Sequence, residues 1–281
     1  MVHLFGSGHS VLPIQDMFPR YGGVVGFHPL MDPRLMWSNV IGPGGARELL
    51  WIERQEGYIR NFLQSFTFHE GEVMIVYSHG GLNAAPIEVA MYAKQKGMKV
   101  VAITSEDNYK KAQPIHSSGN KLGDVADIII SNCCPLEDAL VSIPGYPQPV
   151  GGSSTVAAMV ITQCIASETA LELQKMGHEM FIFVSPNVTE VPADYMNQVY
   201  ANYTEVVKKN GSEVAGPLPL PTKTKKYTVL RSVHVNKDSR EQFEMRIHRR
   251  FVEIKNSSQQ IIGALSSLSL PSGVGIEIKQ L

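Results

Sequence analysis

Short β-branched runs alternate with helical stretches through the first two thirds of the chain, and this alternation restricts the fold more than any other feature. "VHLFGSG", "EVMIVYSHGG", "MKVVAITSE" and "ADIIISN" read as strands, while "PIEVAMYAKQKG" and "STVAAMVITQCIASETALELQKMG" read as helices. Strand, turn, helix, strand is the signature of a doubly wound parallel sheet. The strands are apolar at nearly every position, as strands covered on both faces must be.

A chain of 281 residues has room for two domains. With 43% hydrophobic residues and 18% charged ones, and no apolar run read as spanning a membrane, the expectation is a soluble cytoplasmic protein without a secretory signal or membrane contact. Cys133, Cys134 and Cys164 have neither disulfide nor zinc spacing, so no metal and no cofactor is expected. Charge divides unevenly. Residues 1 to 194 carry 12 Lys/Arg against 19 Asp/Glu, and residues 195 to 281 carry 13 against 7. The basic part is the candidate for a polyanionic partner.

In doubly wound sheets, chemistry gathers at the carboxyl ends of the strands. Hydroxyl residues stand at three such ends: Ser7 and Ser10 in "FGSGHS", Ser78 in "YSHGG", and Thr104 and Ser105 in "ITS". Glycines let the backbone close around an anion and hydroxyls donate to it, so a phosphate is the expected guest.

With these words in order, residues 2 to 188 resemble the sugar-isomerase (SIS) domain family. The match runs through "HLFGSGHS", "FPRYGG", "GFHPLMDP", "IERQEGYI", "GLNAAPIEVAMYAKQKGMKVVAITS", "HSSGNKL" and "ADIIISN". The resemblance implies a flavodoxin-like fold that forms homodimers. It also implies a sugar phosphate held by Ser7, Ser10, Ser78, Thr104 and Ser105. Related aldose-ketose phosphosugar isomerases use a glutamate and sometimes a histidine as acid and base, for which Glu53, Glu56 and His116 are the candidates. A solvated helix face is the competing reading for the two glutamates. Two departures accompany the resemblance: "SHGG" stands in place of a Ser-Asn-Ser-Gly type loop, and the first strand begins at Val2, with no helix of several turns before it.

The C-terminal part changes character. "VPADYMNQVYANYTEVVKKNG" reads as a helix closing at Gly211, with Lys208 and Lys209 in its last turn. In "GPLPLP", Gly216 to Pro221, alternate prolines exclude a helix or a central strand and hold the chain extended. "KYTVLRSVHV" and "EQFEMRIHRRFVEIK" are β-like runs on either side of an "NKDSR" tip, and cations recur along both.

Residues 196 to 281 resemble ribosomal protein S-ten of the bacterial small subunit, through "VKKNGSEVAGPLPLPTKTKKYTVLRSVHVNKDSREQFEMRIHRRFVEI" and "ALSSLSLPSGVGIEIKQL". The resemblance implies a small α+β, ferredoxin-like βαβαβ domain with an extended basic loop. Its implied partners are ribosomal RNA and neighbouring small-subunit proteins, with tRNA binding to the ribosome as the wider function. Lys223, Lys225, Lys226, Arg231, Lys237, Arg240, Arg246, Arg249 and Arg250 are the expected backbone-binding cations. The first strand of this domain is missing from its expected place: either Met180 to Val188 serves as that strand or the sheet is one strand short.

The sequence therefore predicts an SIS-like domain over residues 1–190 and an S-ten-like RNA-binding domain over 191–281. Two functions stay open: a constituent of the small ribosomal subunit fused to a phosphosugar-binding domain, or a phosphosugar isomerase or sensor with a basic C-terminal module.

Overall fold

A computed structural model describes residues 1–17, 20–36, 45–185, 187, 191–192, 194–209, 214–230 and 240–254, without the side chains of 46, 207–209, 214–223, 230 and 245–254. The chain packs as two units, Met1–Gly211 and Ser212–Leu281.

The first unit is built on a five-stranded sheet. Strands β1 (Val2–Gly6), β2 (Phe27–Leu30), β3 (Val73–Tyr77), β4 (Lys99–Thr104) and β5 (Ile128–Ser131) lie in the order β2-β1-β3-β4-β5. Every pairing is parallel. This is the flavodoxin-like order, in which the chain reverses its direction of winding between β1 and β3.

Period-two alternation sends neighbouring side chains into two cores. Phe5, Met74 and Val76 join Leu30, Ile59, Leu63 and Ile87 on one face, with α2 (Gly45–Ile52), α3 (Tyr58–Leu63) and α4 (Ala84–Gln95) above them. Leu4, Ile75 and Tyr77 join Ile14, Ala158 and Ala166 on the other, under α1 (Leu12–Met17) and the long α7 (Ser154–Lys175). Between these helices lie α5 (Glu106–Lys111), α6 (Leu122–Val125) and a hairpin of β6 (Ala139–Val141) and β7 (Val150–Gly152).

Two expectations need correction. The last strand is not covered on both faces: Ile128 and Ile129 in β5 are 54% and 39% exposed, whereas Phe27 and Leu30 in β2, the strand at the other edge of the sheet, are buried. And α7, at 22 residues, is long and apolar enough to cross a membrane by length and composition, although the sequence was read as having no such run. Its contacts are those of a helix laid on a sheet. Thr162 Oγ1 lies 3.0 Å from the buried Tyr77 hydroxyl, and Gln163 Nε2 donates to Asp16 at 2.5 Å.

The segment Phe181–Phe183 runs antiparallel to Gly22–Val25. Gly22 N donates to Phe183 O at 2.7 Å, Phe183 N to Gly23 O at 2.9 Å and Val25 N to Phe181 O at 2.9 Å. The strand-like stretch considered for the second domain thus makes its backbone bonds inside the first unit. Helix α8 (Tyr195–Lys209) covers it. Val199 is fully buried, and Phe183 meets the edges of Tyr200 and Tyr203 at 5.6 and 5.9 Å between ring centroids. The Tyr195 hydroxyl accepts from Ile182 N at 3.1 Å.

In the second unit, β8 (Val214–Leu230) and β9 (Arg240–Ile254) form an antiparallel ribbon from Val214↔Ile254 to Leu230↔Arg240. The prolines lie inside β8, which a two-stranded ribbon permits because both strands are edges. The register shifts between Ala215 and Leu218 and between Leu220 and Lys223, which is where Pro217 and Pro221 interrupt the ladder. Residues 231–239, with the predicted tip, and 255–281 lie outside the described residues.

Candidate functional site

The turn after β1 is shaped by Gly6. A Cβ there would come within 2.4 Å of the Ser10 carbonyl oxygen, so only glycine lets the chain fold back this closely. Ser10 N donates to Ser7 O at 3.1 Å, closing a short turn of helix over Gly8–Val11. Ser7 Oγ in turn donates to Glu53 Oε2 at 2.7 Å. Glu53 is only 5% exposed, and its backbone oxygen accepts Ala85 N at the start of α4 at 3.0 Å. Burial pushes its carboxyl above the usual range, while hydrogen bonds from Ser7, Arg54 and Asn83 pull it down. Glu53 is therefore not on a solvated helix face.

The turn after β3 carries Ser78, whose Oγ accepts Gly81 N at 3.1 Å. Gly81 has φ +63°, and a Cβ there would stand 3.1 Å from Thr104 Oγ1. The hydroxyls after β4 look inward. Thr104 Oγ1 donates to His79 O at 3.2 Å, and Ser105 Oγ donates to Cys134 O at 2.8 Å while accepting Asn108 N as the N-cap of α5. Both residues are buried, and their hydroxyls brace neighbouring loops. His79 is wedged between loops: its Nδ1 lies 3.2 Å from Asn132 Nδ2, and its Nε2 lies 3.1 Å from Asn108 Nδ2 and 3.3 Å from Leu136 O. Ser7, Ser10 and Ser78 are thus the predicted hydroxyls that reach the β1/β3 switch point partly exposed.

Beside them lies a second group. Glu56 is exposed, and its carboxylate accepts both the backbone N–H and the hydroxyl of Ser117, which hold it below the usual carboxylate range. His116 is next in the chain, and its side chain is 6% exposed. Its Nδ1 accepts Ser118 N at 3.1 Å, so the neutral ring carries its proton on Nε2. That nitrogen lies 3.9 Å from Glu56 Oε2 and 3.8 Å from Glu88 Oε1. The loop of His116 is anchored where Leu122 N donates to Gly81 O at 2.9 Å, so it abuts the turn after β3. Glu88 is not among the residues that the sequence pattern marks as acid or base. Its signal was present: Glu88 is the sole charged residue in "LNAAPIEVAMYA".

On the ribbon, Lys225, Lys226 and Arg240 are exposed. Cross-strand partners share a face. Lys226 with Glu244 and Thr228 with Gln242 make one face polar, while Tyr227 opposite Phe243, 49% and 53% exposed, gives the other an aromatic pair. Lys223, Arg246, Arg249 and Arg250 belong to the strands by backbone, with side chains outside the description, and Arg231 and Lys237 lie outside the described residues. Among the described residues, no group of three His, Cys, Asp or Glu could hold a metal ion.

A flavodoxin-like sheet with serine turns at its switch point, followed by a long ribbon with exposed cations, defines a two-part protein: a doubly wound α/β domain and a separate antiparallel ribbon. The SIS domain model matches residues 1–105, and the model for ribosomal protein S10p/S20e matches residues 193–279. A UPF0309 protein of Thermoanaerobacter pseudethanolicus is 36% identical over 188 residues, covering 66% of this chain and 74% of that protein. One of Listeria innocua is 35% identical over 201 residues, 70% of this chain and 77% of that protein. Small ribosomal subunit protein uS10 of Fusobacterium nucleatum is 69% identical over 77 residues, 27% of this chain and 75% of that protein. The chain belongs to the UPF0309 family of SIS-domain proteins through its N-terminal part and to the uS10 family through its C-terminal part.

Proposed function

We propose that the C-terminal part binds ribosomal RNA as a constituent of the small ribosomal subunit, in the cytoplasm, and that the N-terminal unit binds a sugar phosphate. The observation that carries the first half is the match of residues 193–279 to the S10p/S20e model, a stretch that includes the ribbon with its exposed Lys225, Lys226 and Arg240, alongside the 69% identity to uS10 over 77 residues. Phosphate-contacting cations release counterions, so affinity should depend steeply on salt. Replacing Lys225 and Lys226 with alanine is expected to reduce the salt slope of RNA binding by about 1 to 2. An unchanged slope removes the ribbon from the binding surface. In lysate gradients, the chain should sediment with the small subunit, next to its neighbouring ribosomal proteins and the tRNA sites.

Support for the second half comes from Ser7, Ser10 and Ser78 converging at the switch point, next to a buried Glu53. Glu53, Glu56 and His116 are the acid and base candidates for aldose-ketose isomerisation; Thr104 and Ser105 act by holding the loops rather than by touching the phosphate. Combined Ser10→Ala and Ser78→Ala substitution should abolish the thermal shift produced by sugar phosphates. A shift that persists places the ligand elsewhere. Homodimerisation through this unit would cover Val156, Val160 and Leu171, the exposed apolar residues of α7, and light scattering of the full chain tests it.

A further inference from the structure

Glu88 sits one turn into α4, where every neighbouring residue from Ala84 to Ala90 is buried. Its Oε1 accepts Gly57 N at 2.7 Å. Its Oε2 is buried and has no hydrogen-bond partner among the described residues, and the same holds for His116 Nε2. The two side chains are about nine-tenths buried, at 10% and 6% exposure. A buried carboxylate oxygen without a donor and a buried N–H without an acceptor are each costly, and native folds rarely keep both side by side. At 3.8 Å the imidazole nitrogen and Glu88 Oε1 are too far apart for a hydrogen bond between them. What satisfies both groups at once is a group that accepts from N–H and donates to a carboxylate, the chemistry of an O–H group that water supplies when no ligand is bound and a ligand hydroxyl supplies by displacing it.

We propose that Glu88 and His116 form a hydroxyl-binding pocket for the polyol part of the ligand: His116 Nε2–H donates to a ligand hydroxyl, and that hydroxyl donates to Glu88 Oε2. The inference rests on the sugar-phosphate reading and deepens it, because it assigns the phosphate to the serine turns and one sugar hydroxyl to this pair. The framework supports the division. Loop 53–57 connects the two places, through Glu53 to Ser7 and Ala85 and through Gly57 to Glu88. The ring of His116 is fixed by Ser118, so its Nε2–H points in a direction set before any ligand arrives.

The test is calorimetric titration of the full chain with sorbitol 6-phosphate, sorbitol and inorganic phosphate. Glu88→Gln keeps an acceptor for Gly57 N–H but turns the second oxygen into a donor. His116→Asn keeps an acceptor for Ser118 N–H but removes Nε2–H. Each is expected to weaken sorbitol 6-phosphate about tenfold or more while leaving inorganic phosphate unchanged. The double variant should be little worse than either single one, since both act on the same hydroxyl. The proposal is overturned if both variants bind sorbitol 6-phosphate like the parent, or if they lose inorganic phosphate in equal measure. Binding of sorbitol that depends on Glu88, with no gain from the phosphate, would sink the sugar-phosphate reading and leave the pocket standing. A parent chain that binds none of the three removes both.

Discussion

Ser7 and Glu53 are joined by a 2.7 Å hydrogen bond that ties the first strand end to the loop leading into α3. It couples a hydroxyl at the switch point to a carboxyl that burial has made reluctant to ionise. The folded state therefore holds the Glu53 proton more tightly than the unfolded chain does. The stability that this contributes is fully present below the unfolded pKa and is lost as pH rises through the folded one. Glu53→Gln should raise the melting temperature at about pH 8, and the gain should shrink as pH falls towards the ordinary value of 4.5. A variant that melts below the parent at the higher pH would contradict this account.

At the opposite end of the sheet, His3 is fully buried, with Nε2 3.0 Å from Glu72 Oε2 and Nδ1 3.2 Å from His28 Nδ1. Burial, aided by the neighbouring His3, lowers His28 from 6.5 to about 4. A depressed pKa gives stability that is present above the unfolded value and lost as pH falls through the folded one. Between pH 6.5 and 4 the loss should reach about 3 kcal/mol. Urea unfolding across that range should show the slope in the parent and a flatter one in His28→Asn; equal slopes would rule out His28 as its source.

Thr162 is the polar residue through which α7 grips the sheet. Tyr77, 1% exposed and pushed up to about 12 by burial, has its hydroxyl 3.0 Å from Thr162 Oγ1. Thr162→Val leaves that hydroxyl without its partner and should cost about 1 to 3 kcal/mol in chemical denaturation. Phe in place of Tyr77 should restore most of the loss in the Val background.

Gly6→Ala is expected to harm the ligand site rather than merely the core. The new methyl would collide with the backbone of Ser10, so the turn that presents Ser7 and Ser10 must move. Sugar-phosphate thermal shifts should disappear while the circular dichroism of the sheet and helices persists. Retention of the full shift would mean that the turn plays no part in binding.

Much of this architecture is legible in the residues themselves. The apolar runs of β1, β3 and β4 mark their elements because burial on both faces leaves a long signal, while α7 shows itself as 22 residues without glycine or proline. Strand β2 is four residues with Pro29 inside, too short and too interrupted for periodicity to reveal it. Glu88 was passed over because an apolar helix around one carboxylate reads as packing, and only the fold shows that His116 comes to meet it from 28 positions further on. The hydrogen bonds of Thr104 and Ser105 were likewise hidden: hydroxyls at a strand end look alike until the carbonyls they donate to are in place.

Helix α8 gives the joining of the two families an unexpected geography. By ancestry it falls within the S10p/S20e stretch that begins at residue 193, yet it is packed within Met1–Gly211, over Phe183. The seam of heredity and the seam of packing are therefore different places. Severing the chain at Asp194 would strip the first unit of its cover and leave Val199 and Phe183 facing water, so a split made along gene history would produce two sticky fragments instead of two clean domains.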